Sequence, residues 1–140
     1  MLGKYWEHFH HDGGRGVRGT GATIDEAFEQ AAIAATALVT DPRNVELQET
    51  VEIYCQASND ELLLKEWLNA LLDEMATRKM LFGRFEVRIS DHQLRARALG
   101  EAVDPARHHP AAEIRHATTT SLWVNEDVTG TWLAQCVITA

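Results

Sequence analysis

Cysteine is scarce in this chain: Cys55 and Cys136 each lie in an apolar stretch, and neither has a C-x-x-C neighbour. Two cysteines so placed make neither a disulfide framework nor a thiolate metal site, and read as reduced, buried thiols. Serine is limited to Ser58, Ser90 and Ser121, none in a G-x-S-x-G elbow, so no nucleophile triad is readable. No apolar run approaches the roughly 18 residues of a membrane span, and Met1-Leu2-Gly3-Lys4 lacks the apolar segment of a secretion leader. A cytoplasmic protein with no membrane association is expected. Runs of Lys and Arg are also missing, and 21 acids against 13 bases leave a formal charge of −8. Nucleic-acid binding rests on neutralising phosphates, so strong direct binding is not expected. A basic protein partner or a metal ion suits an acidic surface better.

With 140 residues, 45% of them hydrophobic and 24% charged, the chain is long enough for one core and too apolar for disorder. Trp6, Trp67, Trp123 and Trp132 are spread along it, and no repeat or linker interrupts it. A single domain spanning 1–140 follows.

Two helices are signalled. Thr23-Ile24-Asp25-Glu26 is a capping box, in which hydroxyl and carboxylate satisfy free amides at a helix start. Ile24, Ala27, Phe28, Ala31, Ala35 and Leu38 then recur at helical steps, up to a stop at Asp41-Pro42. The alanines make a slim face suited to lying close against a sheet. A second box, Ser58-Asn59-Asp60-Glu61, precedes a stripe of Leu64, Trp67, Leu68, Leu71, Leu72 and Met75, read as core. Its early acids and its late Arg78 and Lys79 match the helix dipole.

The remainder reads as strand. Val45–Cys55 places Val51, Ile53 and Cys55 on one side, and Phe85, Val87 and Ile89 alternate with Arg84, Glu86 and Arg88. Ser90-Asp91-His92 is a turn into a strand ending near Leu99. Asn125–Gly130 links Thr118–Val124 to Thr131–Thr139, and Asp104–Pro110 reads as an irregular loop. Strands near Tyr5–Phe9 and Val17 complete an α+β architecture: two helices packed on antiparallel β-sheet.

The densest polar cluster is His8-Phe9-His10-His11-Asp12, followed by Gly13-Gly14-Arg15-Gly16. Imidazole and carboxylate there suit zinc, iron or manganese. In a strand, however, His8 and His10 share one face and His11 takes the other, so the three converge only if the chain turns at His11. The alternative is a polar strand end followed by a flexible glycine loop. That loop lacks the Lys-Ser/Thr and the helix of a phosphate cradle. His108-His109 reads as a surface pair.

The run Tyr5–Glu29, with its Glu-His-Phe start, the segment His11–Gly19 and Thr23-Ile24-Asp25-Glu26-Ala27-Phe28-Glu29, resembles the archease family. So do Leu38-Val39-Thr40-Asp41-Pro42, Asp60–Leu64 with Trp67-Leu68, Gly100–His108, and Glu113-Ile114-Arg115-His116-Ala117-Thr118. The segments span nearly the whole chain in order. The resemblance implies an α+β protein that assists the GTP-dependent RNA ligase of tRNA splicing and RNA repair, promoting its guanylylation and repeated turnover. It implies an activator, not an enzyme.

The family binds a divalent cation, usually calcium, through an Asp of an H-x-A-D-x-G segment and an Asp of the last strand. Aligned here, those positions fall on Gly14 and Thr139. Calcium takes six to eight oxygens, several of them anionic, so the resemblance implies a degenerate metal site. A rescue by Asp12, taken to share a strand face with Gly14, together with His10 is the alternative. Arg115 stands where the family has a partner-facing Lys, keeping the charge and changing the geometry. The alternative function is a binding or structural paralogue that kept the fold and lost ligase activation.

Overall fold

The computed structural model describes residues 3–110 and 114–139. Glu113 of the segment matched above, and Met1 and Leu2 of the N-terminus, lie outside the described residues. The element order is β1 (Tyr5–His11), β2 (Gly14–Gly21), α1 (Ile24–Ala37), β3 (Glu49–Gln56), α2 (Asp60–Arg78), β4 (Met80–Ser90), β5 (Gln93–Ala102), the one-turn α3 (Pro105–His108), β6 (His116–Ala117), β7 (Trp123–Glu126) and β8 (Trp132–Thr139). One antiparallel sheet runs β1-β2-β8-β6, with β7 also paired to β8; the other runs β3-β5-β4.

The alanines of α1 have a stronger meaning than a slim face. Ala27, Ala31, Ala32, Ala34 and Ala35 are all fully buried, because α1 is covered on both sides. It lies on β2, where Gly19 has no room for a side chain: a Cβ there would sit 2.1 Å from the Ala27 carbonyl and 2.3 Å from the Ala31 nitrogen. On its other side the Thr36 hydroxyl donates to the Phe82 carbonyl of β4 (2.8 Å). Its carboxylates also close an exposed edge. β4 is an edge strand, and its Val87 and Ile89 amides donate to Glu29 (2.9 Å) and Asp25 (3.2 Å). Burial pushes both carboxyls up from their ordinary values. From α2, the Trp67 indole donates to the Phe28 carbonyl (3.1 Å), and Asn69 pairs with the backbone of Ala117 on β6.

The first capping box forms: the Glu26 amide donates to Thr23 Oγ1 (3.1 Å), and Glu26 Oε1 accepts from the Ala22 amide (2.9 Å). Three expectations are corrected. α1 ends at Ala37, well before Pro42, because Pro42–Asn44 forms a separate 3-10 turn capped by Asp41. The second helix is capped by Asn59, not Ser58, with Asn59 Oδ1 accepting from the Leu62 amide (2.8 Å). Gly14 and Gly16 lie within β2 instead of a flexible loop, since the hairpin turns on Asp12-Gly13 alone, with Gly13 at φ 84°.

Alternation was a sound guide elsewhere. Val51, Ile53, Cys55, Phe85 and Val87 are buried, and both cysteines are free and buried. Asp91 and His92, at φ 50° and 58°, make the two-residue turn between β4 and β5. Among the described residues, no helix is long and apolar enough to cross a membrane.

Candidate functional site

Gly14 and Thr139, the two positions that the resemblance marks, come together in space. The β2–β8 register pairs Arg15 with Ile138, and one further step sets Gly14 beside Thr139. A Cβ on Gly14 would lie 3.2 Å from Thr139 Cγ2. β1 pairs His11 with Gly14, and β6 pairs His116 with Thr139. The result is one cross-strand row, His11, Gly14, Thr139, His116, on the sheet face turned away from α1. His116 Nε2 and the Thr139 hydroxyl are 3.1 Å apart, and the Arg115 amide donates to the Thr139 carbonyl (2.9 Å). Arg115 and His116 are exposed.

The same face continues as Phe9 over Gly16, then Glu7, Arg18, Gln135 and Trp123. A Cβ on Gly16 would be 2.4 Å from the Phe9 ring, so the glycine makes room for that ring. Arg18 binds Glu7, donates to Gln135 Oε1 (2.8 Å) and lies 4.9 Å from the Phe9 centroid. Trp123 is 56% exposed.

The row does not fit a calcium ion. It offers one neutral hydroxyl and no carboxylate, where calcium needs several anionic oxygens. Nor is there space left for a side chain at Gly14: a Cβ would meet Val137 Cγ1 at 2.6 Å and the Ile138 carbonyl at 2.9 Å.

The polar cluster before the hairpin divides as alternation requires. His8 and His10 fall on the α1 side, and His8 Nε2 bonds the Ala34 carbonyl (2.8 Å). His11 falls on the outer face, its Nδ1 donating to the Asp12 carbonyl (2.8 Å). The turn comes one residue too late to gather all three. Asp12 sits in the turn itself, so the expectation that it shares a strand face with Gly14 is corrected. It does meet His10, at 3.4 Å, but both side chains are fully open to water. Among the described residues, no three His, Cys, Asp or Glu side chains are grouped to hold a metal.

A second polar centre escaped the sequence reading. His108, expected on the surface, is 3% exposed, as is Glu101. The Asp104 amide donates to His108 Nδ1 (2.8 Å), which leaves Nε2 to carry the proton and donate to Glu101 Oε2 (3.0 Å). Arg107 grips Glu101 with both terminal nitrogens, and the Glu46 amide adds a third donor (2.6 Å). The Arg107 guanidinium first, then the Glu46 amide, holds the Glu101 carboxyl down at about 2. Arg107 also donates to the Asn44 carbonyl, and the Thr40 hydroxyl to that of His108. This centre pins the α1–β3 connection to the end of β5. The only available signal was Glu101 lying six and seven residues before a basic pair.

Compared with known proteins, residues 6–138 match the Archease protein family. Protein archease of Pyrococcus abyssi is 34% identical over 138 residues, covering 96% of this chain and 97% of that protein. Protein archease of Thermococcus gammatolerans is 35% identical over the same coverage. The solution structure of Methanobacterium thermoautotrophicum protein 1598 aligns with a TM-score of 0.82 at 26% identity, covering 96% and 98% of the two chains. A crystal structure of an archease, possible chaperone, from Thermotoga maritima aligns at 0.59 and 13% identity, covering 96% of each chain, and shares the fold.

Proposed function

The chain belongs to the archease family, and we propose that it is an accessory protein of a GTP-dependent RNA ligase of tRNA splicing and RNA repair. In this reading it promotes guanylylation and repeated turnover of the ligase in the cytoplasm and joins no RNA itself. It does so without the family's calcium ion.

One observation carries the reading. The row His11, Gly14, Thr139, His116 is half-buried and ends on exposed His116 and Arg115, and the same sheet face carries the exposed Trp123 opposite Gln135, two rows away. Guanidinium, imidazole and indole groups are suited to a protein surface. A charge of −8 on the whole chain complements a basic ligase surface. The second reading is a paralogue that kept the fold and lost activation. The closure of Val137 and Ile138 around Gly14 favours it, since that corner can no longer take a ligand carboxylate without moving.

A ligation assay with the cognate ligase at low concentration separates the two. Many ligation events per ligase only when this protein is present, weakened by Arg115→Ala, supports the first reading. Turnover that is the same with and without the protein establishes the second.

A further inference from the structure

The outer face of the three-stranded sheet holds four of the chain's 13 basic residues, Arg84, Arg88, Arg95 and Arg97. Alternation puts them there: Phe85, Val87, Leu94, Ala96 and Ala98 turn inward, so their neighbours turn out. The register arranges the face in two rows of different character. In one, Arg97 lies between Glu52 and Glu86, and Glu86 is 3.7 Å from Arg84 and 3.8 Å from Arg97. That row is close to neutral.

In the other, Arg88 stands directly opposite Arg95, which stands opposite Tyr54. Like charges facing each other across strands are unfavourable. Among the described residues, neither arginine forms a direct ion pair, and Asp25 is the carboxylate whose field reaches Arg88. Arg95 lies over the Tyr54 ring at 5.8 Å from its centroid, and Tyr54 is 54% exposed. Two guanidinium stems about 5 Å apart on neighbouring strands can grip one phosphodiester together.

We propose that the row Tyr54, Arg95, Arg88 is a binding site for single-stranded RNA, with the arginine pair on a phosphate and the Tyr54 ring stacked on a base. Aromatic groups beside basic ones on an open sheet face suit single strands, whose bases are free to stack. An acidic peptide would satisfy the arginines but make no use of the ring. The site is short, because the glutamates neutralise the adjoining row, and the overall charge of −8 keeps affinity low. It lies on a different sheet from the corner of Gly14 and Thr139 and does not depend on the ligase reading.

The test is fluorescence anisotropy of a labelled oligouridylate of about ten nucleotides with the intact protein. Binding near 10⁻⁴ M at about 50 mM salt is expected, the weak end of non-specific affinities. One neutralised phosphate predicts only about a 2.6-fold loss between roughly 50 and 200 mM salt. The double variant Arg88→Gln with Arg95→Gln loses binding tenfold or more, and Tyr54→Ala about fivefold or more. All three positions are exposed, so unchanged melting temperatures distinguish loss of binding from loss of fold. Arg43→Gln, on the 3-10 turn, leaves binding unchanged. The proposal is overturned by absence of binding at millimolar protein, by full binding in the double variant, or by an oligoglutamate that binds tighter than the RNA at the same arginines.

Discussion

Placing carboxylates at Gly14 and Thr139 tests how the corner between β2 and β8 is built. In Gly14→Asp the new Cβ meets Val137 Cγ1 at 2.6 Å and the Ile138 carbonyl at 2.9 Å. Neither neighbour is the free end of a flexible side chain, so a strand must shift. Overpacking of this kind costs about 1–3 kcal/mol, and relief from glycine's entropy in a strand returns roughly 0.5–1 kcal/mol. A net loss of about 1–2 kcal/mol lowers the melting temperature by roughly 3–6 °C for a domain this size. Thr139→Asp alone adds a single half-exposed carboxylate and costs little. Together the two substitutions recreate an acidic pair, and calcium at a hundred times its dissociation constant returns about 2.7 kcal/mol, or roughly 8 °C. Thermal melts in EGTA and in calcium give all four values. A gain of several degrees in calcium by the natural chain itself, or a Gly14→Asp variant that melts no lower than the parent, would refute this packing. A double variant that ignores calcium refutes the placement of both positions in one ion site.

Three further outcomes follow from the packing and the buried polar groups. Gly19→Ala drives a methyl into the backbone of α1, so denaturant unfolding should show a loss of about 3 kcal/mol or more, whereas a loss below roughly 1 kcal/mol would mean that α1 does not lie this close to β2. The folded Glu101 carboxyl is held at about 2, below its ordinary value of 4.5. Its contribution is therefore complete above pH 4.5 and lost as pH falls toward 2. Unfolding midpoints measured across that window should fall in the natural chain and fall less in Glu101→Gln; equal slopes would contradict the assignment. Burial pushes Cys55 up to about 11 and Cys136 up to about 12, so an aromatic disulfide reagent at pH 8 should label neither until denaturant is added. Labelling of the folded protein would show that the thiols are not enclosed.

Local patterns made much of this fold readable. Strict alternation marked Val51, Ile53 and Cys55, and Asp91-His92 supplied the turn between β4 and β5. The caps were legible to within a residue, because Ser58 and Asn59 are both good caps and only tertiary geometry chooses between them. What stayed hidden involves two distant segments. The alanines of α1 announce close approach but not that sheets approach from both sides. His108 looks like any loop histidine until Glu101, seven residues earlier, is folded under it. The arginines of the β3-β5-β4 sheet never form a run, because alternate residues on two strands build the patch. At the Gly14–Thr139 corner the residues carry no signal of their own: a glycine and a threonine point to no chemistry. The resemblance located them, and the β2–β8 register brings them side by side.

We propose an accessory role that does not depend on calcium. It is tested most directly by counting ligation events per ligase with this protein added, once in excess EGTA and once in millimolar calcium. Repeated turnover of equal extent in both is expected. Stimulation that appears only with calcium, or none in either buffer, would contradict it.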